Sequence, residues 1–563
     1  MAGSNHIGID TGGTFTDFIW ADEGGRLRIH KQLSTPDDPA QAILTGLRSG
    51  APPAGGIIHG STVATNALLE GRGARTALIT TAGFADVLAI GRQNRPDLYA
   101  LVPQKPAPLV PRRWRFEARE RLSARGEVLV GLAESEVLAI IDHLTSEAIE
   151  SVAISLLFSF LNPAHEKRIA DLIRRHEKTQ TLHLSLSADI LPEYREFERT
   201  ATTVINAYVA PLMSRYLSRL VEALSPRRLA IMQSNGGVVG ARMAGEQAVR
   251  TVLSGPAGGV VGARFVAGRA GRHDDGFPEI ITFDMGGTST DVALCPSKTP
   301  TTTDGEIAGL PLRIPVIDIH TVGAGGGSLA NVDAGKALHV GPQSAGANPG
   351  PACYRADYHQ WRDEMARHFP AGLATVSDAN LVLGRLDPAH FLGGQMKLSP
   401  IPAKQALHAL AERIGADSAE QAAWDVIRVA NANMERAIRR ISVERGHDPR
   451  RFTLVAFGGG GPLHACELAG QLQIPRVLIP PVPGVLSALG MLVAAPTRDY
   501  SQTVMLASDE PQLEEILVEQ YATLLERAKA EMVADGYDGV SLSFFYNADM
   551  RYVGQSHELT IGY

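Results

Sequence analysis

An eight-residue pattern rich in groups that bind phosphate occurs twice in the chain, at residues 10–17 and 284–291. Both copies read D-x-G-G-T-x-T-D. Glycine has no Cβ, so backbone N–H groups in such a turn can approach phosphate oxygens closely, and threonine hydroxyls add donors. The residues that we expect to bind the phosphates of a nucleotide are Thr11, Gly12, Gly13, Thr14, Gly286, Gly287 and Thr288.

The aspartate that opens each copy, Asp10 or Asp284, is a candidate catalytic and metal-binding residue. A triphosphate needs a hard cation with oxygen ligands to offset its charge, and a carboxylate at a strand end can hold Mg²⁺ directly or through water. A single copy is explained equally well as an ordinary hairpin turn. Two copies with matching aspartates favour a nucleotide site.

The segments around each copy predict a β-hairpin. Apolar runs precede the two copies at residues 7–9 and 280–283, and further apolar runs follow at 18–20 and 292–294. Two short apolar runs joined by a turn with paired glycines are typical of a hairpin. Two related hairpins imply two related lobes.

A third glycine cluster, F-G-G-G-G-P-L-H at residues 457–464, lies between an apolar strand pattern and a helical pattern. Bare backbone at a helix N-terminus can accommodate a base or ribose, although a tight strand-to-helix turn explains the same residues. The chain has no G-x-x-x-x-G-K-[ST] motif, which excludes a P-loop. The glycine run at 323–328 is interpreted as a substrate-side loop or a lobe-packing loop.

The patterns divide the chain into three units. Residues 1–200 alternate strand-like runs with helical patterns, such as those at 134–148 and 164–176, which is an α/β signature. Residues 201–495 form a larger second unit that contains a loop-rich insertion at 305–354. Residues 496–563 combine a helical pattern with an alternating run, which predicts an α+β segment. Because the last run ends inside a strand pattern, we expect a C-terminal domain that extends beyond Tyr563.

Composition excludes several classes of protein. The net charge is −7, and no long basic stripe is present, which disfavours nucleic-acid binding. Three widely separated cysteines support neither a disulfide framework nor a zinc site. No basic and apolar leader and no run of about 18 apolar residues occurs, so we expect a cytoplasmic protein without a membrane anchor.

In sum these residues resemble the hydantoinase/oxoprolinase family, in particular its ATP-binding, hydantoinase A-type subunit in the actin, Hsp70 and sugar-kinase superfamily. The likeness spans nearly the whole chain. It is carried by segments 7–17, 59–66, 234–237, 254–259, 283–292, 322–328 and 457–462. The resemblance implies two actin-like, ribonuclease H-like lobes around a nucleotide cleft, with a C-terminal α+β segment.

The resemblance also implies roles for individual residues. Residues 10–14 and 284–288 match the two phosphate motifs, and the adenosine motif falls on Gly458, Gly459, Gly460 and Gly461. The helices that start near Gly258 and Ser487 match the two helices that connect the lobes. Small residues on both would permit a close crossing, although they are also compatible with tight packing alone.

Members of this family use ATP to open 5-oxoproline or hydantoin rings, or to carboxylate ketones. The resemblance therefore implies an ATP-dependent hydrolase subunit that opens a cyclic amide by phosphorylating its carbonyl oxygen, with ATP and Mg²⁺ as cofactors. It implies a hetero-oligomer with a second, hydantoinase B-type subunit. The alternatives are the ATP-binding subunit of an acetone- or acetophenone-type ketone carboxylase, and a non-catalytic actin- or Hsp70-like ATP-binding module.

Polar residues beside glycines in the first unit are candidates for substrate contact. They are His59, Thr62, Asn66, Arg92 and Gln93. Each also has a structural alternative, because polar loop residues are usually solvated or hydrogen-bonded within the turn.

Overall fold

The structure is a computed structural model that describes residues 6–13, 15–35, 38–50, 55–94, 98–102, 105–270, 278–297, 299–394, 396–537 and 542–563. Thr14, which we expect to bind phosphate, lies outside these residues. No helix among the described residues is both long enough and apolar enough to cross a bilayer.

The first lobe is built on a six-stranded mixed sheet. The elements up to residue 246 are β1 (Ile7–Thr11), β2 (Phe15–Ala21), β3 (Leu27–Leu33), α1 (Pro39–Gly50), β4 (Ile57–Ser61), α2 (Val63–Leu69), β5 (Thr76–Thr81), α3 (Val87–Ile90), β6 (Arg115–Ala118), β7 (Arg121–Leu122), β8 (Val128–Val130), α4 (Glu134–Ser146), β9 (Ser151–Ser155), α5 (Ala164–Arg175), β10 (His183–Leu186), α6 (Ser187–Ile190), α7 (Glu196–Leu224), β11 (Leu229–Met232), β12 (Val238–Gly240) and α8 (Ala241–Glu246). The sheet order is β12-β11-β4-β1-β2-β3. β1 to β3 form an antiparallel meander, and β4 and β11 run parallel to β1.

A smaller parallel sheet is inserted into the first lobe, in the order β10-β9-β5-β6. Its central strands β5 and β9 are buried along their whole length, as expected for a parallel sheet covered on both faces. Helix α4 covers one side because its apolar residues recur every three or four positions. The two helices predicted at residues 134–148 and 164–176 are confirmed as α4 and α5.

The second lobe repeats the sheet of the first. Its elements, with the helices that flank them, are α9 (Ser254–Ala270), β13 (Ile280–Met285), β14 (Thr290–Cys295), β15 (Thr301–Thr302), β16 (Gly305–Ile307), β17 (Leu310–Leu312), β18 (Val316–Ile317), β19 (His320–Val322), β20 (Ser328–Val332), β21 (Leu338–Ser344), α10 (Tyr358–His368), β22 (Ala374–Thr375), α11 (Val376–Val382), α12 (Pro400–Ile414), α13 (Ala419–Ile441), β23 (Thr453–Phe457), α14 (Gly461–Leu472), β24 (Arg476–Leu478) and α15 (Leu486–Val493). The sheet order is β19-β14-β13-β23-β24.

The two sheets share one topology. In each, an antiparallel three-strand meander is followed on the other side of its first strand by two parallel strands. β3-β2-β1-β4-β11 therefore matches β19-β14-β13-β23-β24 strand for strand. The two related lobes predicted from the repeated motif are confirmed by this topology.

Helices α9 and α15 cross between the two sheets. A Cβ added to Gly490 would lie 1.8 Å from the Gly258 carbonyl oxygen, and one added to Gly262 would lie 2.5 Å from the Leu486 carbonyl oxygen. Only glycine permits backbones to approach this closely. The buried residues around this crossing come from both sheets and both helices, so they form an interlobe core. The small residues predicted to allow a close crossing lie at this contact.

The predicted boundary at residue 200 falls inside α7, a 29-residue helix. Strands β11 and β12, which follow that helix, complete the first sheet through pairing with β4. Local patterns along the chain do not reveal this, because the partner strand lies about 170 residues earlier in sequence. After α15 come α16 (Leu513–Ala534), β25 (Asn547–Met550) and β26 (Leu559–Gly562), which form the predicted α+β segment.

Candidate functional site

The two repeated motifs form hairpins with the same turn. The Gly12 N–H donates to the Phe15 carbonyl over 2.9 Å, and the Gly286 N–H donates to the Ser289 carbonyl over 3.0 Å. The strand before each turn is buried except at its aspartate, which holds each hairpin in its sheet. Each turn therefore lies at the end of its strands, where a ligand can approach it.

Register places two carboxylates side by side on each hairpin. Asp10 is paired with Asp17, and Asp284 is paired with Asp291. Directly opposed residues of antiparallel strands project to the same face of the sheet. Each hairpin therefore presents one pair of carboxylates on a single face.

The first turns of α9 lie between the two carboxylate pairs. A Cβ added to Gly255 would lie 3.6 Å from an Asp10 carboxylate oxygen, and one added to Gly259 would lie 2.8 Å from the Phe457 ring. Phe457 is the cross-strand neighbour of Asp284. Gly255 and Gly259 are four residues apart in the helix, which corresponds to a rise of about 6 Å. The two hairpins therefore lie close to each other across the start of α9 and face one gap.

The carboxylates in this gap have raised pKa values. Burial, then the charge of Asp17, raises the pKa of Asp10 to about 7, while Lys31 opposes the rise. The pKa of Asp284 lies well above its ordinary value because of burial first and then the charges of Asp291, Asp10 and Asp17. Burial raises the pKa of Asp291 to about 6, against a hydrogen bond from a threonine hydroxyl. Four acids facing one lysine are well suited to a bound cation.

The chemistry of the site fits a nucleotide with Mg²⁺. Among the residues that the structure describes, no three His, Cys, Asp or Glu side chains are grouped as a ready-made metal site. Mg²⁺ commonly keeps water and takes phosphate oxygens beside one or two carboxylates, so it does not require such a group. The hydroxyl oxygen of Thr11, in the first motif, is buried and has no hydrogen-bond partner among the residues that the structure describes. A phosphate at the first turn is one group that would satisfy it.

The glycine cluster at 458–461 packs on the second hairpin. The Gly458 N–H donates to the Pro483 carbonyl over 3.0 Å, and the Gly460 N–H donates to the Met285 carbonyl over 2.9 Å. Gly458 has a φ of +76°, and a Cβ there would lie 2.3 Å from an Asp284 carboxylate oxygen. Glycine is required at this position both for its φ and for this approach. The cluster thus borders the same gap as the hairpins.

Three of the predicted glycines border open space. A Cβ added to Gly13, Gly287 or Gly459 would meet no atom of the described residues within 4 Å. These positions belong to the first turn, the second turn and the third cluster respectively. A ligand that touches all three has room to approach the backbone.

The loop at 323–328 covers the second turn. The Gly326 N–H donates to the Gly286 carbonyl over 3.0 Å, and the Gly327 N–H donates to the Gly287 carbonyl over 2.7 Å. Of the two interpretations of this loop, the contacts place it as packing within the second lobe. The Gly286 and Gly287 carbonyls thus point toward this loop and not toward the gap between the hairpins.

Two of the substrate candidates lie beside the first hairpin. The Thr62 hydroxyl donates to the Thr11 carbonyl over 3.3 Å. The Asn66 amide donates to the Thr62 hydroxyl over 3.4 Å and is exposed. Both residues follow β4, the strand parallel to β1, so their position arises from the sheet topology.

Thr288, one of the residues expected to bind phosphate, is exposed at the second turn.

The other three substrate candidates lie elsewhere. His59 is fully buried, with Nδ1 3.2 Å from the Ile9 carbonyl oxygen and Nε2 2.8 Å from the Tyr216 hydroxyl. Its environment is that of a core histidine within the first lobe. Arg92 follows α3 and donates to Glu198 of α7 over 2.6 Å, and its neighbour Gln93 is exposed with a φ of 57°.

Sequence reasoning assigned no role to four residues of the site, Asp17, Asp291, Lys31 and Thr321. The two aspartates close the repeated motif, so their presence in both copies was a usable signal. Lys31 and Thr321 carry no signal in the sequence, because they enter the site through strand pairing with those aspartates.

Comparison with known proteins gives consistent matches over the chain. A family model described as Hydantoinase/oxoprolinase matches residues 199–500, and one described as Hydantoinase/oxoprolinase N-terminal region matches residues 6–177. The caprolactamase subunit alpha of Pseudomonas jessenii is 36% identical over 578 residues, which cover 99% of this chain and 80% of the relative.

Solved structures give the same result. The crystal structure of ATP-dependent caprolactamase from Pseudomonas jessenii superposes with a TM-score of 0.83 at 35% identity, covering 99% of this chain and 81% of that chain. Nucleotide-free acetone carboxylase superposes with a TM-score of 0.79 at 28% identity, covering 99% of this chain and 80% of that chain. The predicted two-lobed α/β nucleotide-binding fold is confirmed by these similarities.

Proposed function

Because this chain belongs to the hydantoinase/oxoprolinase family, we propose that it is the ATP-binding subunit of an enzyme that opens a cyclic amide. The substrate class is a lactam, hydantoin or 5-oxoproline ring. The observation that carries the proposal is the pair of glycine-turn hairpins, each with two carboxylates, that face one gap. A triphosphate with a divalent cation suits that arrangement in shape and charge.

The proposed chemistry activates an amide that water attacks slowly. The carbonyl oxygen of the ring takes the γ-phosphoryl group of ATP, the bond to the β-phosphate oxygen breaks, and ADP leaves. Water then adds to the activated carbon and the ring C–N bond opens, which leaves an amine and an acyl phosphate. A second water hydrolyses the acyl phosphate to the carboxylate and free phosphate. Catalysis of the first step consists of positioning and charge neutralisation.

The chain's own residues have distinct parts in this step. Backbone N–H groups of the two turns hold the phosphates, and the Gly458–Gly461 cluster lies against the adenosine. Asp10 and Asp284 would hold Mg²⁺, directly or through water, and the ion would offset the charge of the triphosphate. Thr62 and Asn66, beside the first turn, remain proposed for the substrate side.

A second subunit is part of the proposal. The relative from Pseudomonas jessenii is named as a subunit, subunit alpha. We propose that a hydantoinase B-type partner completes the hydrolysis of the activated ring in this protein as well. The chain would then act as one member of a hetero-oligomer.

A ketone carboxylase subunit is the second candidate, and it is favoured by the similarity to acetone carboxylase across 99% of the chain. Phosphorylation of a ketone enol would use the same phosphate site. The two candidates differ in the second reactant. In the hydrolase, water attacks the activated carbonyl carbon, whereas in the carboxylase the activated ketone reacts with a carbon group derived from bicarbonate. Bicarbonate is needed for carboxylation and not for hydrolysis.

The test is ADP formation by the chain together with its partner subunit, over a panel of cyclic amides and ketones, with and without bicarbonate. We expect a cyclic amide to stimulate ADP formation without bicarbonate and to yield the ring-opened amino acid. A strict bicarbonate requirement with a ketone would replace the hydrolase by the carboxylase. If the chain binds no ATP in calorimetry, both proposals fail.

A further inference from the structure

The third strands of the two matching sheets carry different residues opposite the second aspartate. In the first lobe Asp17 is paired with Lys31 of β3, and in the second lobe Asp291 is paired with Thr321 of β19. The Thr321 hydroxyl lies 2.5 Å from an Asp291 carboxylate oxygen. The duplicated site is therefore asymmetric in charge, with an ammonium group in one lobe and a hydroxyl in the other.

Lys31 contacts both sides of the gap. Its Nζ lies 2.5 Å from an Asp17 carboxylate oxygen and 3.5 Å from the carbonyl oxygen of Gly484. Gly484 lies between β24 and α15, in the second lobe. The lysine also lies over the Phe15 ring at 4.9 Å, and its side chain is 24% exposed. The ammonium group is thus contacted by a carboxylate, a carbonyl and an aromatic ring, and it is partly exposed to solvent.

The segment that Lys31 reaches is tied to the second hairpin. Pro483, the neighbour of Gly484, accepts the N–H of Gly458, and Gly460 donates to Met285 beside the second turn. A path of hydrogen bonds therefore runs from the first hairpin through Lys31 to residues 483–484, then through the glycine cluster to the second hairpin. Within this path Lys31 supplies the side-chain link between the lobes.

We infer that Lys31 is a positioning residue that sets the spacing of the two phosphate hairpins by linking Asp17 to the 483–484 segment of the opposite lobe. The inference rests on the proposed nucleotide site, and it adds a residue that acts on the geometry of that site. A charged donor with two oxygen partners holds a geometry better than a neutral side chain of similar length. Without the link, the helix crossing and the interlobe core still join the lobes, but the spacing of the two hairpins is defined less tightly.

The test compares Lys31→Met with Arg28→Met in the full chain. Arg28 lies on the same strand, is 58% exposed and forms an ion pair with Asp22 in the turn between β2 and β3, so it is a matched control. We expect the dissociation constant for MgATP, measured by calorimetry, to rise about tenfold in Lys31→Met, which corresponds to about 1.4 kcal/mol. Arg28→Met should remain within about twofold of wild type on the same scale.

Hydrogen exchange of the nucleotide-free protein supplies a readout that does not depend on ATP. Amides in residues 479–486 should exchange faster in Lys31→Met than in wild type, and Arg28→Met should not change them. Lys31→Arg, which keeps the charge and the reach, should recover slow exchange and most of the affinity.

Each outcome decides a different claim. If Lys31→Met binds MgATP as wild type does and leaves exchange at 479–486 unchanged, the inference is overturned while the proposed function stands. If wild type binds no ATP, the proposed function fails, and the exchange measurement still tests the link. A variant that is unfolded by circular dichroism is replaced by Lys31→Gln, read by the same two measurements.

Discussion

At the scale of single residues, two kinds of titratable group are buried in the first lobe for different reasons. His59 is enclosed by the Ile9 carbonyl and the Tyr216 hydroxyl, and burial lowers its pKa to about 4. Asp10 lies at the gap between the lobes, where burial raises its pKa to about 7. The histidine is held neutral as part of the core, whereas the aspartate lies where the proposed nucleotide and its cation would bind.

The His59 shift predicts a pH dependence of stability. An unfolded histidine takes up a proton below about pH 6.5, while folded His59 takes one up only near pH 4. Below pH 6.5 the unfolded state thus binds more protons, and stability falls as pH falls. By pH 5 the loss from this residue is about 2 kcal/mol, at 1.36 kcal/mol per pKa unit.

His59→Gln isolates this contribution in urea unfolding at pH 7.5, 6 and 5. The variant should be less stable than wild type at pH 7.5, because it loses a buried hydrogen bond, and the difference should shrink toward pH 5. His557→Gln, with an exposed side chain, should show a constant difference. A constant difference for His59→Gln as well would contradict the assignment.

Asp284→Asn should separate function from stability. Its carboxylate lies among three others, so its removal should raise the melting temperature of the nucleotide-free protein. Substrate-dependent ADP formation should fall at least about 100-fold, the usual scale for loss of one preorganised electrostatic group. Asp509→Asn, at an exposed position, should change neither quantity. Unchanged turnover in Asp284→Asn would favour the non-catalytic ATP-binding module.

At the scale of elements, the crossing of α9 and α15 joins the two lobes. The helices meet through glycines, and the residues buried around them come from β2 of the first sheet and from β13, β14 and β23 of the second. In sequence, α9 follows the last strand of the first sheet and α15 follows the last strand of the second sheet. The two helices are therefore duplicated together with the sheets. A change in this contact would alter the angle at which the hairpins face each other.

Gly490→Ala should disrupt that crossing. The new Cβ would lie 1.8 Å from the Gly258 carbonyl oxygen, so the helices must separate, at a cost of about 3 kcal/mol. Gly470→Ala on the exposed side of α14 is the control, because its Cβ would meet no described atom within 4 Å. That control should gain about 0.5–1 kcal/mol from lower backbone entropy in the unfolded chain. Equal effects in thermal unfolding would argue against the close crossing.

At the scale of the whole molecule, the C-terminal segment is joined to the first lobe by polar contacts. None of the residues of α16 is fully buried. Arg498, whose side chain is 7% exposed, forms ion pairs with Glu531 and Asp535 at the end of that helix. Asp535 also accepts the N–H of Gly240 from β12 over 3.2 Å. The two lobes, in contrast, share an apolar core.

Arg498→Met should therefore release helix α16 and leave the lobes folded. Removing one member of a buried ion pair leaves the other charges unpaired, which costs about 3–5 kcal/mol locally. Limited chymotrypsin digestion, whose aromatic sites in this range are unchanged by the substitutions, should cut within residues 513–537 faster than in wild type, with the main thermal transition unchanged. Arg527→Met, with a 43% exposed side chain that also pairs with Glu531, should be cut at the wild-type rate. Loss of the main transition would show instead that the segment stabilises the lobes.

Patterns in the sequence were sufficient to predict the features that arise from neighbouring residues. The hairpins follow from apolar runs beside glycine turns, the helices α4 and α5 follow from their apolar period, and the repeated motif implied the duplication. These signals are local because hydrogen bonds within a turn or helix join residues that are close in the chain. The motif also placed both leading aspartates at strand ends.

Contacts between distant residues are visible only in the folded protein. Strand pairing brought Lys31 to Asp17 and Thr321 to Asp291, and the lobe contact brought Lys31 to a carbonyl 453 residues away. The same packing enclosed His59 beside Tyr216, although the histidine is next to a glycine in sequence. Register and interlobe packing depend on how whole sheets fit together, and that fit leaves no local pattern for the sequence to reveal.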